Sequence, residues 1–394
     1  MSYELYIRHM SRAGNIKNGA IIPLSATFTI TEDGTAPLRF WLNADNDALL
    51  DVAEYDIMQV YIRNLSIGLS DPAAVDGFIK FFDGVVRSIP GAGGIFKRTV
   101  NDDGIENVQI YCPHIRHILE WRNVAYKAGT VDRSQFTTIP AETIAKALVQ
   151  YNCTASATTG DGRERDGDLA PAMLIPITIE TDLGSGNLLG RSYAYLPVLA
   201  ALQKINQIGG GWVTFTYDLG SWVLGWRLGL LGDDKTTGAN RVLFSLDNGT
   251  ITDPTLTNNP ARGTVAIVGG KGEEALRAVE VVYSPQFDPA NDIETFISAT
   301  NLSTAEALAA AGLEGLDKRR GISELDLKVN QTQDTFYCPI DLPGKNTYKI
   351  GDAVVVDFGG EVVKKPARAA FAWRIPNKAD ALRIDVDLED IFLP

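Results

Sequence analysis

Over the first 130 residues, apolar and polar side chains alternate with a period of two in run after run. The pattern is plain in Ala26-Thr27-Phe28-Thr29-Ile30, across 38–42 and across 57–63. That period sends successive side chains to opposite faces, so each run predicts a half-buried β-strand. Residues 78–89 and 108–111 predict two more. Asp33-Gly34, Asp83-Gly84, Gly91-Ala92-Gly93-Gly94 and Asp103-Gly104 predict the turns that separate them. Many short strands cut by Gly and Asp point to a barrel or a sandwich.

The period then changes. Pro140 follows Thr138, a candidate cap, and Ile144, Leu148 and Tyr151 fall at helical spacing behind it. A second helix is predicted over 192–208, stopped by Gly209-Gly210-Gly211. A hairpin is predicted over 212–228, turning at Leu219-Gly220-Ser221. From about residue 241 strands return, interrupted by one marked helix over about 303–320. Ser303-Thr304-Ala305-Glu306 reads as a capping box at its start. Lys318-Arg319-Arg320 suit the negative end of its dipole, and Gly321 reads as its stop. The expected organisation is a β-domain over 1–130, an α+β middle over 131–240 and a second β-domain over 241–394. The fold class is therefore mainly β with α+β insertions.

A length of 394 residues suits two to four domains, and a 45% hydrophobic content is enough to fill their cores. Charge changes the picture more. Lys plus Arg number 36 and Asp plus Glu 49, a net of −13. Gripping nucleic acid needs clustered cations, and the densest basic runs, Lys318-Arg319-Arg320 and Lys364-Lys365, are too short. Cys112, Cys153 and Cys338 form no C-x-x-C pair, which predicts neither a zinc site nor a disulfide framework and suits a reducing cytoplasm. The N-terminus has no apolar signal region, and no run approaches a membrane span.

Candidate chemistry is thin. Cys112, His114 and His117 lack a fourth ligand, and a partly buried helix face is the favoured reading. The 161–168 loop is rich in carboxylates but misses the calcium-loop pattern at Arg165, although a looser cation site at 160–168 stays open. The glycines at 91–94 and 269–272 match no phosphate loop and read as hairpin loops. No G-x-S-x-G motif is present, and three histidines leave little material for a triad. Paired carboxylates for glycoside hydrolysis stay open, since their spacing is three-dimensional. No cofactor, metal or catalytic residue is assigned. Trp212, Trp222 and Trp226 make the best candidate interaction surface, with Trp222, Leu224, Trp226 and Leu228 in one row. Such a row is favoured as core or interface over a sugar platform.

Asn346 begins a last informative stretch, NTYKIGDAVVVDFGG. Strict alternation from Tyr348 puts Asp352 in the row of Ile350, Val354, Val356 and Phe358, a costly place for a lone carboxylate. This predicts a structural turn or bulge at Gly351-Asp352, with Gly bending the backbone and Asp bonding nearby amides.

Several of these segments also occur in a telling order. They are Tyr3-Glu4-Leu5-Tyr6-Ile7-Arg8, the strand led by Tyr55-Asp56, FIKFFDGVVRSI (78–89), IYCPHIRHILEWRNVAYKAGT (110–130), VAIVGGKGEEALRAVEVVY (265–283), the capped helix and YKIGDAVVV (348–356). In this order they resemble the tail-hub (tail-associated, baseplate-hub-like) proteins of long-tailed bacteriophages. The resemblance implies two similar β-barrel domains plus smaller α/β domains, and a homotrimer that closes the tail tube as a non-enzymatic virion protein at the tail tip. Implied partners are a distal-tail or tail-tube ring protein, the tape-measure protein and tip fibre or receptor-binding proteins. DNA passes as ungripped cargo, and assembly takes place in the host cytoplasm. A short match of Tyr55-x-Ile57-x-x-Val60-x-Ile62 with Tyr348-x-Ile350-x-x-Ala353-x-Val355 echoes the implied duplication. Many hubs carry a C-terminal extension, and RIDVDLEDIFL so close to Pro394 is expected to leave no room for one. The alternatives are a hexameric distal-tail ring protein, a carbohydrate-binding receptor or glycosidase tail protein, and a hub from a phage-derived injection machine.

Overall fold

The computed structural model describes residues 3–34, 36–64, 78–100, 104–125, 134–154, 176–218, 221–273, 276–332, 334–342, 344–358, 360–374 and 382–390. The chain opens with β1 (Tyr3–Met10), β2 (Ile16–Ile21), β3 (Ser25–Thr31), β4 (Leu38–Asn43), β5 (Ile57–Asn64), β6 (Ile79–Val85), β7 (Phe96–Val100) and β8 (Glu106–Cys112). Next come β9 (Ser134–Pro140), α1 (Ala141–Cys153), β10 (Ile177–Ile179), β11 (Leu188–Tyr193), α2 (Val198–Ile208), β12 (Gly211–Asp218) and β13 (Ser221–Leu228). Then follow β14 (Leu243–Ser245), β15 (Ile251–Asn259), β16 (Val265–Gly269), β17 (Val279–Tyr283), β18 (Glu294–Ser298) and α3 (Ala305–Asp317). The last strands are β19 (Ile322–Val329), β20 (Thr335–Tyr337), β21 (Asn346–Tyr348), β22 (Val354–Asp357), β23 (Glu361–Arg374) and β24 (Leu382–Asp390).

These elements form two compact units, each assembled from separate stretches of chain. The first comprises Met1–His117, Leu231–Thr255 and Leu325–Ile391; the second comprises Ile118–Leu230 and Leu256–Glu324. In the first unit the largest sheet runs β14-β22-β23-β3-β4-β8-β7, with β24 also paired to β23. Its centre joins the two ends of the chain: β23 lies antiparallel to β3, with Phe371 opposite Phe28 and their rings stacked at 4.4 Å. A second sheet, β2-β1-β5-β6, turns Leu5, Ile7, Val60 and Ile62 into the same core as Phe40, Ile110, Phe244 and Tyr348. Full burial of each such side chain contributes roughly 1.5–3 kcal/mol.

In the second unit α1 and α2 pack on one another and on the β12–β13 hairpin, which β10 extends as a parallel edge strand. A separate three-stranded sheet, β17-β16-β18, carries α3 on one face, where Ala266, Val268, Val282, Leu308 and Leu316 form the core. Gly312 makes that approach close, since a Cβ there would come within 2.6 Å of Val282 Cγ2. The sheet's other face leaves Val279, Val281, Tyr283 and Phe296 exposed.

The mainly β class with inserted α+β elements is what the chain adopts, but among the described residues no sheet closes into a barrel. The eight-stranded sheet ends on three-residue β14 at one edge and on solvent-facing β7 at the other. Local boundaries also differ from expectation. Residues 188–193 are strand β11, paired with β9, so α2 begins at Val198 rather than near 192. Thr138 does not cap α1: Pro140 holds the cap position, and the amides of Ala141 and Glu142 donate to Asn187 O and Ser185 O. The segment leading into β11 satisfies the helix start, which removes the need for a side-chain cap. On α3 the cap is Thr304, whose Oγ1 accepts from the Ala307 amide at 3.3 Å, one residue later than the Ser303 box, and the helix ends at Asp317. The 91–94 glycines link β6 to β7, which lie in different sheets, so they form no hairpin, whereas 269–272 do join the antiparallel pair β16 and β17.

Candidate functional site

Asp352 is fully buried immediately before β22, and the backbone explains how a carboxylate tolerates that place. Gly351 sits at φ 83°, a left-handed conformation that costs glycine little. The turn aims Asp352 Oδ1 at the Asp233 amide (2.7 Å) and Oδ2 at the Lys349 amide (3.0 Å), with Lys235 Nζ 3.5 Å away. Burial nevertheless wins and raises its pKa, against the lowering effect of those amides, Lys235 and Lys349. The strand beyond it does not alternate: Val354, Val355 and Val356 are all buried, and Phe358 is 38% exposed. The carboxylate ties the turn before β22 to the segment at Asp233.

A second buried carboxylate, which the sequence pattern did not single out, precedes β5. Asp56 Oδ2 accepts from the Ala53 amide (2.9 Å), from Lys17 Nζ (2.8 Å) and from His9 Nε2 (2.8 Å). Asn18 Nδ2 stands 3.0 Å from His9 Nδ1; as an amide N–H only donates, the ring proton lies on Nε2, facing Asp56. Burial works to raise the Asp56 pKa, but the His9, Lys17 and Ala53 bonds outweigh it and lower the value. The one sequence signal was His9 itself, a histidine in the apolar row of β1.

The three tryptophans are not one surface. Trp222 is completely buried, and its ring stacks on Phe215 at 5.7 Å. Trp226 shares its face of the sheet, opposite Val213, while Trp212 pairs with Arg227 and lies on the other face. Trp226 rests on a floor of Gly186, Gly209 and Gly211, where a Cβ at 211 would meet its ring at 2.7 Å. Its indole nitrogen is buried without a hydrogen-bond partner. Leu228, at the end of the row, is exposed. On this hairpin Trp222 belongs to the core and Trp226 packs on glycine backbone.

Cys112 and His114 also serve packing. His114 meets Phe82 edge-on at 5.2 Å, its Nδ1 accepts the Arg116 amide, and burial, helped by Arg116 and Lys80, pushes its pKa down to about 3. Among the described residues no three His, Cys, Asp or Glu side chains gather into a metal site, and the 160–168 loop lies outside those residues. No helix of the described residues is long and apolar enough to cross a membrane.

What the surface does offer is an ordered row of aromatic and cationic groups on the β1–β5 face. Tyr6 and Tyr61 stack at 5.0 Å, Arg8 lies 4.5 Å over Tyr61, and Arg63 lies 4.5 Å over Phe78 while pairing with Glu4. Tyr, Phe and Arg are among the residue types enriched in protein–protein contacts.

Comparison with known proteins agrees with a fold built for assembly. Over its whole length the chain matches the 43 kDa tail protein of prophage MuSo2 from Shewanella oneidensis, with a TM-score of 0.54, 16% identity and 98% of each chain covered. A tail protein from Neisseria meningitidis MC58 matches at 0.51 with 10% identity, over 99% of this chain and 97% of that one. Prophage tail protein gp18 from Listeria monocytogenes EGD-e matches at 0.51 with 12% identity, over 97% and 94%. No curated protein sequence matches the chain. The profile of the family described as "Siphovirus ReqiPepy6 Gp37-like protein" matches residues 88–369, well over half the sequence. The chain belongs to that siphovirus family, and its fold is that of phage tail proteins.

Proposed function

We propose that this chain is the hub of the phage tail tip: a non-catalytic homotrimer that closes the tail tube and joins it to the tip. The observation that carries this reading is the end-to-end fold match to a prophage tail protein, 98% of each chain. A further likeness, TM-score 0.51 at 10% identity, is to a chain of the Francisella PdpA–VgrG complex, of which this chain spans 52%. In this reading β-rich modules from the two ends of the chain act as two similar modules of one unit, so three copies present six similar surfaces to a ring. The ring, the tape-measure protein and the tip fibres are the partners, and DNA passes through without being held. A trimer carries 3 × −13 = −39 charges, and carboxylates along its channel repel phosphate.

Native mass spectrometry of the purified full chain tests the reading. A trimer is the expected species. A hexamer reassigns the chain to a distal-tail ring, and a monomer at every concentration, even with the ring protein added, removes both.

A further inference from the structure

We propose that Lys235 and Asp341 become joined by an isopeptide bond, which the folded chain forms by itself with Asp352 relaying the protons. Lys235 is 3% exposed, and its Nζ meets three oxygens: Asp341 Oδ1, Thr347 O at 2.7 Å and Asp352 Oδ2 at 3.5 Å. An amine, an acceptor carboxyl and a second carboxyl converge on one nitrogen. Those are the groups that amide formation between side chains needs, held in place beforehand. The backbone fixes each of them. The Lys235 amide donates to Ala353 O (2.8 Å), and Lys235 O accepts from the Val242 amide (2.9 Å). Thr347 Oγ1 donates to Asp341 Oδ1 (3.4 Å), and the next residue, Leu342, is buried in a cluster with Ile79, Phe336 and Cys338. Asp352 accepts one amide at each oxygen, which leaves Oδ2 a second lone pair to face the lysine.

Charge favours the step. The lysine sits almost out of water, where an ammonium is costly to hold, and two carboxylates against it leave the cluster one charge short of neutral. Burial raises the Asp352 pKa, so this carboxyl takes up a proton readily. In the reaction the Nζ lone pair forms the new bond to Asp341 Cγ, and the bond from Cγ to one carboxyl oxygen breaks with its electron pair. Two of the three ammonium protons pass by way of Asp352 to that oxygen, which leaves as water. Nζ keeps one hydrogen, Asp352 ends as it began, and the charges of Lys235 and Asp341 are both gone. A cavity of about 210 Å³ bordered by Lys235, Asp341, Lys345 and Thr347 gives the water an exit. The bond links positions 106 apart and so restricts the unfolded chain far more than the folded one, as a disulfide does. The inference is independent of the hub reading.

Intact mass spectrometry of the denatured full chain tests it. Wild type is expected one water lighter than its sequence, and digestion is expected to release a branched peptide that joins the segments carrying Lys235 and Asp341. Wild type at its full sequence mass marks an ordinary ion pair and overturns the proposal, as does a lost water without the branched peptide. Asp341 is half exposed, so its variants are expected to fold. Asp341→Ala should keep its full mass. Asp341→Asn should come out one ammonia lighter, because nitrogen then leaves in place of oxygen; the same branched peptide supports the bond, and its absence counts against it. In Asp352→Asn of unchanged circular dichroism, linking on refolding is expected to slow about a hundredfold or more, and wild-type speed overturns the role given to Asp352. Should that variant not fold, wild type and the Asp341 variants still decide the bond.

Discussion

Glu142 stands at the second position of α1 with its carboxylate on the amides of Leu183 and Ser185 and on Lys146 Nζ. Burial works to raise its pKa, yet these bonds hold it down at about 2. A depressed carboxyl contributes stability above its unfolded pKa, and the contribution disappears as pH falls toward the folded value. Glu142→Gln is therefore expected to cost about 2 kcal/mol at pH 7 by urea titration and far less near pH 2. The two buried aspartates have opposite signs. The Asp56 pKa is lowered, so its contribution fades as acid protonates it; the Asp352 pKa is raised, so folding favours its protonated form. On acidification the stability gap between wild type and Asp56→Asn should narrow, and that for Asp352→Asn should widen. Parallel titrations from pH 7 to pH 3 check this, and gaps moving together refute it. At this scale the sequence made the turn at Gly351-Asp352 legible, because Gly before Asp at the head of an apolar run has a local cause. It could not supply Asp233, whose amide meets Asp352 from 119 positions away, nor the glycine floor that turns Trp226 into a packing residue.

Among the elements, α3 shows what a local motif decides and what it leaves to packing. Ser303 and Thr304 both carry a hydroxyl suited to capping, and the sequence pattern does not rank them; the chain uses Thr304. Thr304→Ala should cost about 1 kcal/mol, read as a lower Tm with unchanged helix content. Gly312 runs against propensity, since alanine normally favours a helix interior by about 1 kcal/mol. Here the added methyl would lie 2.6 Å from Val282 Cγ2, so Gly312→Ala should destabilise by about 1–3 kcal/mol instead. A rise in Tm for that variant would show that the sheet yields. The strands of period two were readable one at a time because alternation is local. Their assembly was not: β3 and β23 each show only alternation, and nothing local says that Phe28 will face Phe371. The start of α2 was misplaced for a related reason: nothing local says that Ser192 and Tyr193 finish a strand paired with Gln135 and Ser134 of β9.

For the whole molecule, charge sets the condition under which the proposed trimer would form. Each chain carries −13, and the row on β1–β5 places Arg8 over Tyr61 and Arg63 over Phe78, with Glu4 paired to Arg63. Bringing like-charged copies together costs Coulomb energy that falls as salt shortens the Debye length from about 10 Å at 0.1 M to about 3 Å at 1 M. Apolar contact, by contrast, is not weakened by salt and strengthens slightly in excluded salts such as sulfate. If the proposed trimer is held by apolar and aromatic contacts against a net repulsion, its dissociation constant should fall as salt rises from about 0.05 to 0.5 M. If ion pairs between copies hold it, the constant should rise. Sedimentation velocity across that range separates the two, and Arg8→Ala with Arg63→Ala probes the cationic row directly. On the apolar account that double substitution deepens the repulsion only modestly, and the salt trend keeps its sign.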